Sequence, residues 1–210
     1  MQFSPTDELT PRQQKALATK ARIAEVAMQL FSEQGFAATS TKQIAKAADV
    51  SEGLIFRYYP TKLELLRSLS RSRQTLSGEV GALLEDMNER PARECLAVIA
   101  RSFVRLMRSE APFLNMMLGE SRTNDELYTL FSGIVESTSS TLAEYLDRRI
   151  QAGELRPDLA TQGAARAFLG PFVLFFMTNK HLSGEAWAER SERYADEVLD
   201  LWFKGALRGE

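Results

Sequence analysis

Cysteine and histidine are nearly absent: the 210 residues hold one of each, Cys95 and His181. One cysteine excludes an intrachain disulfide and a cysteine-rich zinc site, and one histidine excludes a two-histidine metal site. A Ser/His/Asp triad would have to use His181, which sits in a polar turn after an apolar run. Val and Ile are scarce as well, 14 together against 52 Ala and Leu. β-Branched side chains suit strands and lose rotamer freedom in helices, so this balance favours helix. No segment alternates with period two between hairpin turns. The longest apolar stretch, Ala164 to Met177, contains Arg166 and falls short of the roughly 20 residues a membrane span needs. The opening MQFSPTDELTPRQQ has no apolar run behind basic residues, as a signal peptide would. The expectation is a cytoplasmic chain with no membrane partner. There is no glycine-rich phosphate loop, no Glu-x-x-His pair and no pair of carboxylates at a catalytic spacing, so neither an enzyme nor a cofactor is expected.

What is present is an ordinary globular composition, 44% hydrophobic and 26% charged, in a chain long enough to bury a substantial core. The net charge of −2 is unevenly spread. Residues 12–73 hold 11 Lys/Arg against 5 acids, while residues 74–210 hold 15 against 21. A basic front on an acidic body suits contact between the front and a polyanion, although charge patches of this size also occur on solvated surfaces.

Between its prolines the chain reads as helix. Arg12 to Gln34 carries Leu17, Ala21, Ile23, Ala24, Ala27, Leu30 and Phe31 as a helical stripe and stops before Gly35. Ser40 to Gln43 reads as a capping box opening a short helix to about Ala48, and Ser51 can cap a second one to about Tyr58. Thr61 to Glu64 is another capping box, predicted to open one long helix through Leu65, Leu66, Leu69, Leu76 and Leu83 to about Asn88. Further helices are expected at about 91–109, 112–118, 124–152, 158–180 and 185–207, with Thr123 to Glu126 as a third capping box and Gly153 as a stop. The fold expected is all-α. A helix-turn-helix unit of three helices occupies residues 1–60, with a loosely held arm to about residue 11. A larger helical ligand-binding and dimerisation body occupies residues 61–210, about nine helices in all.

Two short helices across a tight turn form a helix-turn-helix pattern. Seven residues are too few to hold a helix alone in water, so the pair must be held by packing, here on Ile23, Ala27, Leu30 and Phe31. Its polar side carries Thr39, Thr41, Lys42, Lys46, Arg57, Tyr58 and Lys62. A short helix fits the major groove, and flanking cations and hydroxyls suit phosphates. A bland helical hairpin in a bundle has the same spacing.

The residues resemble a family at this point. Ile23-Ala24 with Ala27, Leu30-Phe31, Gly35-Phe36, Thr39 with Thr41, Ile44-Ala45, Val50-Ser51 with Gly53, and Phe56 to Lys62 with Leu65 look like the N-terminal domain of TetR-type (TetR/AcrR) repressors. The resemblance is dense over residues 12–66. It implies a homodimeric transcription regulator that binds a near-palindromic operator in double-stranded DNA and is released by a small-molecule effector. By position, Lys42 can reach a base, and Glu52, Gly53 and Leu54 open the recognition helix. Arg57 is a base or phosphate contact, and Thr41, Tyr58 and Lys62 match backbone-contact positions. Asp49 departs from the glycine usual in the turn; Asp tolerates the left-handed conformation but brings a negative charge. Phe56 stands where the family often has Tyr, which removes a hydroxyl but leaves a ring for a sugar or thymine methyl. The competing readings are a helical interaction module and an all-α enzyme, each without a DNA role.

In the body, Trp187, Ser191, Tyr194, Val198 and Leu201 repeat at 4-3-4-3 with Trp202 alongside, a heptad seam. The preceding segment, with Phe168, Phe172 and Phe176, is apolar nearly all round and interrupted by Pro171, where a kink is expected. With the resemblance, these two helices are the expected dimer face, although burial inside one subunit would account for them too. Phe103, Met107, Phe113, Met116, Met117, Leu127, Phe131, Phe168 and Phe172 lie on helices that, by resemblance, wall an effector cavity. For each of them, plain core packing is the commoner reason for an apolar side chain there than direct ligand contact. Glu120, Arg122 and Tyr145 are its candidate polar groups. No metal ligand is expected.

Overall fold

The computed structural model describes residues 10–72, 75–87 and 89–206. Among these residues there are ten helices and no strand: α1 (Pro11–Gln34), α2 (Thr41–Ala47), α3 (Glu52–Tyr58), α4 (Lys62–Ser72), α5 (Thr75–Asp86), α6 (Ala92–Ser109), α7 (Ala111–Glu120), α8 (Asp125–Gln151), α9 (Thr161–Thr178) and α10 (Gly184–Ala206). The all-α expectation holds. The segment expected as one helix to about Asn88 is described as α4 and α5, on either side of residues 73–74; those two residues and Asn88 lie outside the described residues.

Local polar chemistry sets five of the helix starts. The α1 start uses a reciprocal box, in which Thr10 accepts from the Gln13 amide and Gln13 accepts from the Thr10 amide, with Pro11 in the first turn. Ser40 and Gln43 do the same for α2. Ser51 Oγ accepts from the Leu54 amide at 3.2 Å, and Thr61 Oγ1 accepts from the Glu64 amide at 3.0 Å. The expected box at Thr123 is corrected: Asn124 is the cap, its Oδ1 accepting from the Glu126 and Leu127 amides, while Thr123 donates to the Glu120 carbonyl. The Asn124 carbonyl reaches both orphan amides itself, which moves the helix start one residue on.

The helices pack as a small group, α1 against α2 and α4 and α2 against α3, beside a body in which α8 packs on α5 and α9, and α6 on α5, α9 and α10. The main packing between the groups among the described residues is α1 on α7. In α1 the buried positions are Ile23, Ala27, Met28 and Phe31, whereas Leu17 is half exposed because its end of the helix runs past the core.

The aromatic residues assigned to a dimer seam belong to the subunit's own core. Phe168, Phe172, Phe176, Trp187 and Val198 are buried. Phe175 stacks on Tyr194 with ring centroids 4.9 Å apart, and Phe168 meets Trp202 edge-on at 5.7 Å. Trp202 also donates its indole N–H to the Ala164 carbonyl at 3.0 Å. The 4-3-4-3 seam of α10 therefore closes onto α6 and α9 of the same chain, and Leu201 turns outward, 74% exposed. Nor is α9 covered on every side: Leu174 and Met177 are more than half exposed, in line with exposed Gly163, Ala167 and Gly170. Pro171 lies inside an unbroken α9.

Candidate nucleic-acid interface and effector cavity

The α2–α3 turn is closed by backbone hydrogen bonds. The Val50 amide donates to the Ala45 carbonyl and the Asp49 amide to the Lys46 carbonyl, with Asp49 at φ +50°. This is a Schellman ending with Asp where glycine is commonest. Ile44, Ala45, Ala48, Ile55 and Tyr59 are buried with Ile23, Ala27 and Phe31, which fixes the pose of both short helices.

What they leave outside is the surface of α3. Gly53 is exposed and a Cβ there would meet open space, so packing within the chain does not demand glycine. Phe56 is 45% exposed and Arg57 is exposed; Leu54 and Tyr58 are half-buried. Lys20 of α1 lies over the Tyr58 ring, 5.2 Å from its centroid. On α2, Lys42 is exposed, and Thr41 Oγ1 donates to Glu52 Oε1 at 2.5 Å, so Glu52 is turned toward α2. Lys62 is arranged otherwise. Its ammonium donates to the carbonyls of Phe36 at 2.6 Å and Thr39 at 2.7 Å, with Ala37 at 3.4 Å, and lies 4.4 Å from the Phe36 ring centroid. Burial lowers its pKa from the usual lysine value, against the opposing effect of nearby Glu120. Glu120, at the end of α7, accepts from the Phe36 amide at 2.5 Å and the Ala37 amide at 3.0 Å. Sequence reasoning placed Glu120 near an effector; the fold carries it to the α1–α2 turn. Tyr145 is buried beside Arg149, whose guanidinium lies 4.9 Å from its ring centroid, and Arg122 is exposed.

A cavity of about 300 Å³ lies among α6, α7, α8 and α9. Of the residues expected around an effector it brings together Phe103, Met107 and Phe131. Phe113, Met116, Met117, Leu127, Phe168 and Phe172 do not line it; all six are buried in the core. The remaining wall, Leu114, Leu118, Ile134, Val135, Thr138, Ser139, Arg166, Leu169, Gly170 and Val173, was missed. Leu114, Leu118 and the Ile134–Thr138–Ser139 side of α8 carry no mark separating them from ordinary core positions. The cavity is almost wholly apolar: Thr138 and Ser139 donate their hydroxyls to the Ile134 and Val135 carbonyls of their own helix. Arg166 is its one charged wall residue, exposed and ion-paired with Glu136. Val135, Gly170 and Arg166 are exposed, so the cavity reaches the surface along α8 and α9.

Comparison with known proteins agrees with this geometry. The fatty acid metabolism regulator protein of Bacillus subtilis (strain 168) is 27% identical over 191 residues, 88% of this chain and 93% of the relative. The solved structure of the flavonoid-responsive regulator FrrA superposes with a TM-score of 0.67 at 26% identity, covering 92% of this chain and 99% of FrrA. The SmeT–triclosan complex superposes with a TM-score of 0.74 at 21% identity, over 91% and 92% of the two chains, and shows the shared fold. No helix among the described residues is long and apolar enough to cross a membrane. Residues 23–69 match the family "Bacterial regulatory proteins, tetR family", and residues 88–198 match the "Tetracyclin repressor-like, C-terminal domain". With its helix-turn-helix and its apolar cavity, the chain belongs to the TetR family of ligand-responsive, DNA-binding transcriptional regulators.

Proposed function

We propose that the chain is a cytoplasmic, non-enzymatic repressor that binds a near-palindromic operator as a homodimer and leaves it when a small apolar effector enters the α6–α9 cavity. The observation that carries the reading is the outer surface of α3, where Gly53, Phe56 and Arg57 stand outside a motif whose other side is fully packed. Gly53 permits close approach of the duplex, the Phe56 ring suits a sugar or thymine methyl, and Arg57 suits a base edge or phosphate. Lys42 and Lys20 flank that surface as phosphate contacts. Lys62 we assign to the α1–α2 turn rather than to DNA, because its donors are already satisfied by three carbonyls.

The dimer face we assign to the bare stripe of α9: Gly163, Ala167, Gly170, Leu174 and Met177. Small residues let helices approach closely, and two copies related by a two-fold axis would pair this stripe. The cavity suits an apolar molecule near the small end of the roughly 300–1,000 Å³ range of ligand sites. Its walls leave few polar groups to fix a hydrophilic compound. The triclosan held by SmeT and the fatty acid role of the B. subtilis relative support the same class.

Selection of bound duplexes from a random pool, followed by footprinting, tests the reading. Two protected half-sites are expected, their centres about 34–36 Å apart or a modest extension of that. A single unrepeated half-site protected by a monomer would overturn it.

A further inference from the structure

Two opposite charges grip the turn that leads into the recognition motif, and one of them comes from the body. The carboxylate of Glu120 accepts from the Phe36 and Ala37 amides; the ammonium of Lys62 donates to the Phe36, Ala37 and Thr39 carbonyls of the same turn. The peptide dipoles of residues 36–37 are thus aligned between an anion and a cation, the arrangement in which charge-assisted hydrogen bonds are strongest. Thr39, itself buried, closes the turn by donating to the Gly35 carbonyl at 2.7 Å. The carboxylate sits so close that a Cβ at Gly35, where φ is +87°, would lie 2.5 Å from Glu120 Oε1. Glycine is therefore required at position 35 for the carboxylate's approach as well as for the backbone.

Glu120 ends α7, and two residues before it Leu118 walls the cavity, with Leu114 one turn earlier. Because α1 on α7 is the main packing between the two groups of helices, this carboxylate stands where the body meets the reading head. We propose that Glu120 is a positioning residue for DNA binding: it locks the α1–α2 turn, and with it α2 and α3, to the end of α7, so that a change in the cavity wall moves the recognition helix. The proposal rests on the DNA-binding, effector-released reading above. It differs from a purely covalent route through α4 in assigning the transmission to one side chain.

The experiment uses the full chain, an operator duplex obtained by selection, and Leu118→Trp as a filled cavity in place of an effector. In the wild-type background Leu118→Trp is expected to weaken operator binding about tenfold, within the usual range of allosteric coupling. In a Glu120→Ala background the same substitution is expected to change binding by less than about twofold, because the link is already cut. Equal weakening in both backgrounds, or none in either, overturns the proposal. Amide hydrogen exchange at Phe36 and Ala37 gives a readout that needs no DNA. Both amides should exchange faster in Glu120→Ala, and one should stay protected in Glu120→Gln, which keeps a single acceptor and serves as the second variant if Glu120→Ala does not fold. Unchanged exchange at both amides overturns the proposal even if operator binding is lost. Failure to select any duplex overturns the DNA-binding reading instead, and the exchange result then decides the clamp by itself.

Discussion

The α2–α3 pair and the α8–α9 pair solve opposite problems. Each of the first two helices has 7 residues, with its start or its turn fixed by a side-chain cap, a Schellman ending or the ions that grip residues 35–39. The second two have 27 and 18 residues and are packed chiefly through apolar side chains, with room left between them for a cavity. Directional bonds hold a short reading head in one pose, which sequence-specific contact requires. Non-directional packing lets long helices shift around a guest without losing a hydrogen bond. The molecule is therefore stiff where it must be exact in shape and adaptable where it must accept a ligand.

The sharpest contrast within the body is between the two faces of α9, and it gives the largest expected effect. Phe172 is fully buried against Phe103, Phe168 and Tyr194, while Leu174, two residues on, is 59% exposed. Phe172→Ala should lower the unfolding free energy by about 3–5 kcal/mol, read by denaturant titration, because it removes a large core side chain and leaves a cavity. Leu174→Asp should leave the protomer folded and shift sedimentation toward monomer. A variant pair behaving the other way round would move the dimer face off α9 and onto another surface.

The two lysines of the reading head divide in the same manner. Lys42 is exposed, whereas the Lys62 ammonium is enclosed by carbonyls. Lys42→Ala should lower the slope of log affinity against log salt by about one unit, as loss of one phosphate contact does. Lys62→Ala should leave that slope unchanged and lower thermal stability instead, since three carbonyls of a tight turn lose their donor. A salt slope reduced equally by both would return Lys62 to the phosphate-binding set.

These contrasts explain what could be read from the amino-acid order. The motif was legible because its determinants are local: Ser40 with Gln43, Ser51, and an apolar stripe from Ile23 to Phe31 all act within a few residues. The cavity was legible only in part, because its wall depends on which faces of four helices fail to meet. Met116 and Met117 have the adaptable apolar character of wall residues, yet they face the core, while Leu118, next in line, faces the cavity. The α10 seam was legible as a pattern of burial, with Trp187 and Val198 packed inside the subunit and Leu201 left outside, but a 4-3-4-3 repeat does not say whether the facing helix belongs to the same chain. The Glu120 contact spans 84 residues to Phe36 and left no periodic trace.

The smallest effect tests whether the stiff end is as stiff as it could be. Asp49 occupies the left-handed position of the α2–α3 turn at φ +50°, where a Cβ costs energy that glycine avoids. Asp49→Gly should raise stability by about 0.5–1 kcal/mol, reduced from the full conformational gain because glycine also frees the unfolded chain. For a chain of this size that is about 1–4 °C in melting temperature. The substitution also removes a negative charge from an exposed position in a motif that faces phosphates, so operator affinity should rise modestly, and more at low salt, where screening is weakest. Asp49→Asn separates the two causes. Asn tolerates the same backbone conformation but carries no charge, so it should reproduce the salt-dependent gain in affinity with little of the gain in melting temperature. If Asp49→Gly lowers stability while Asp49→Asn does not, the side chain contributes a bond to the turn that outweighs its strain, and the turn is held more tightly than its backbone geometry alone requires.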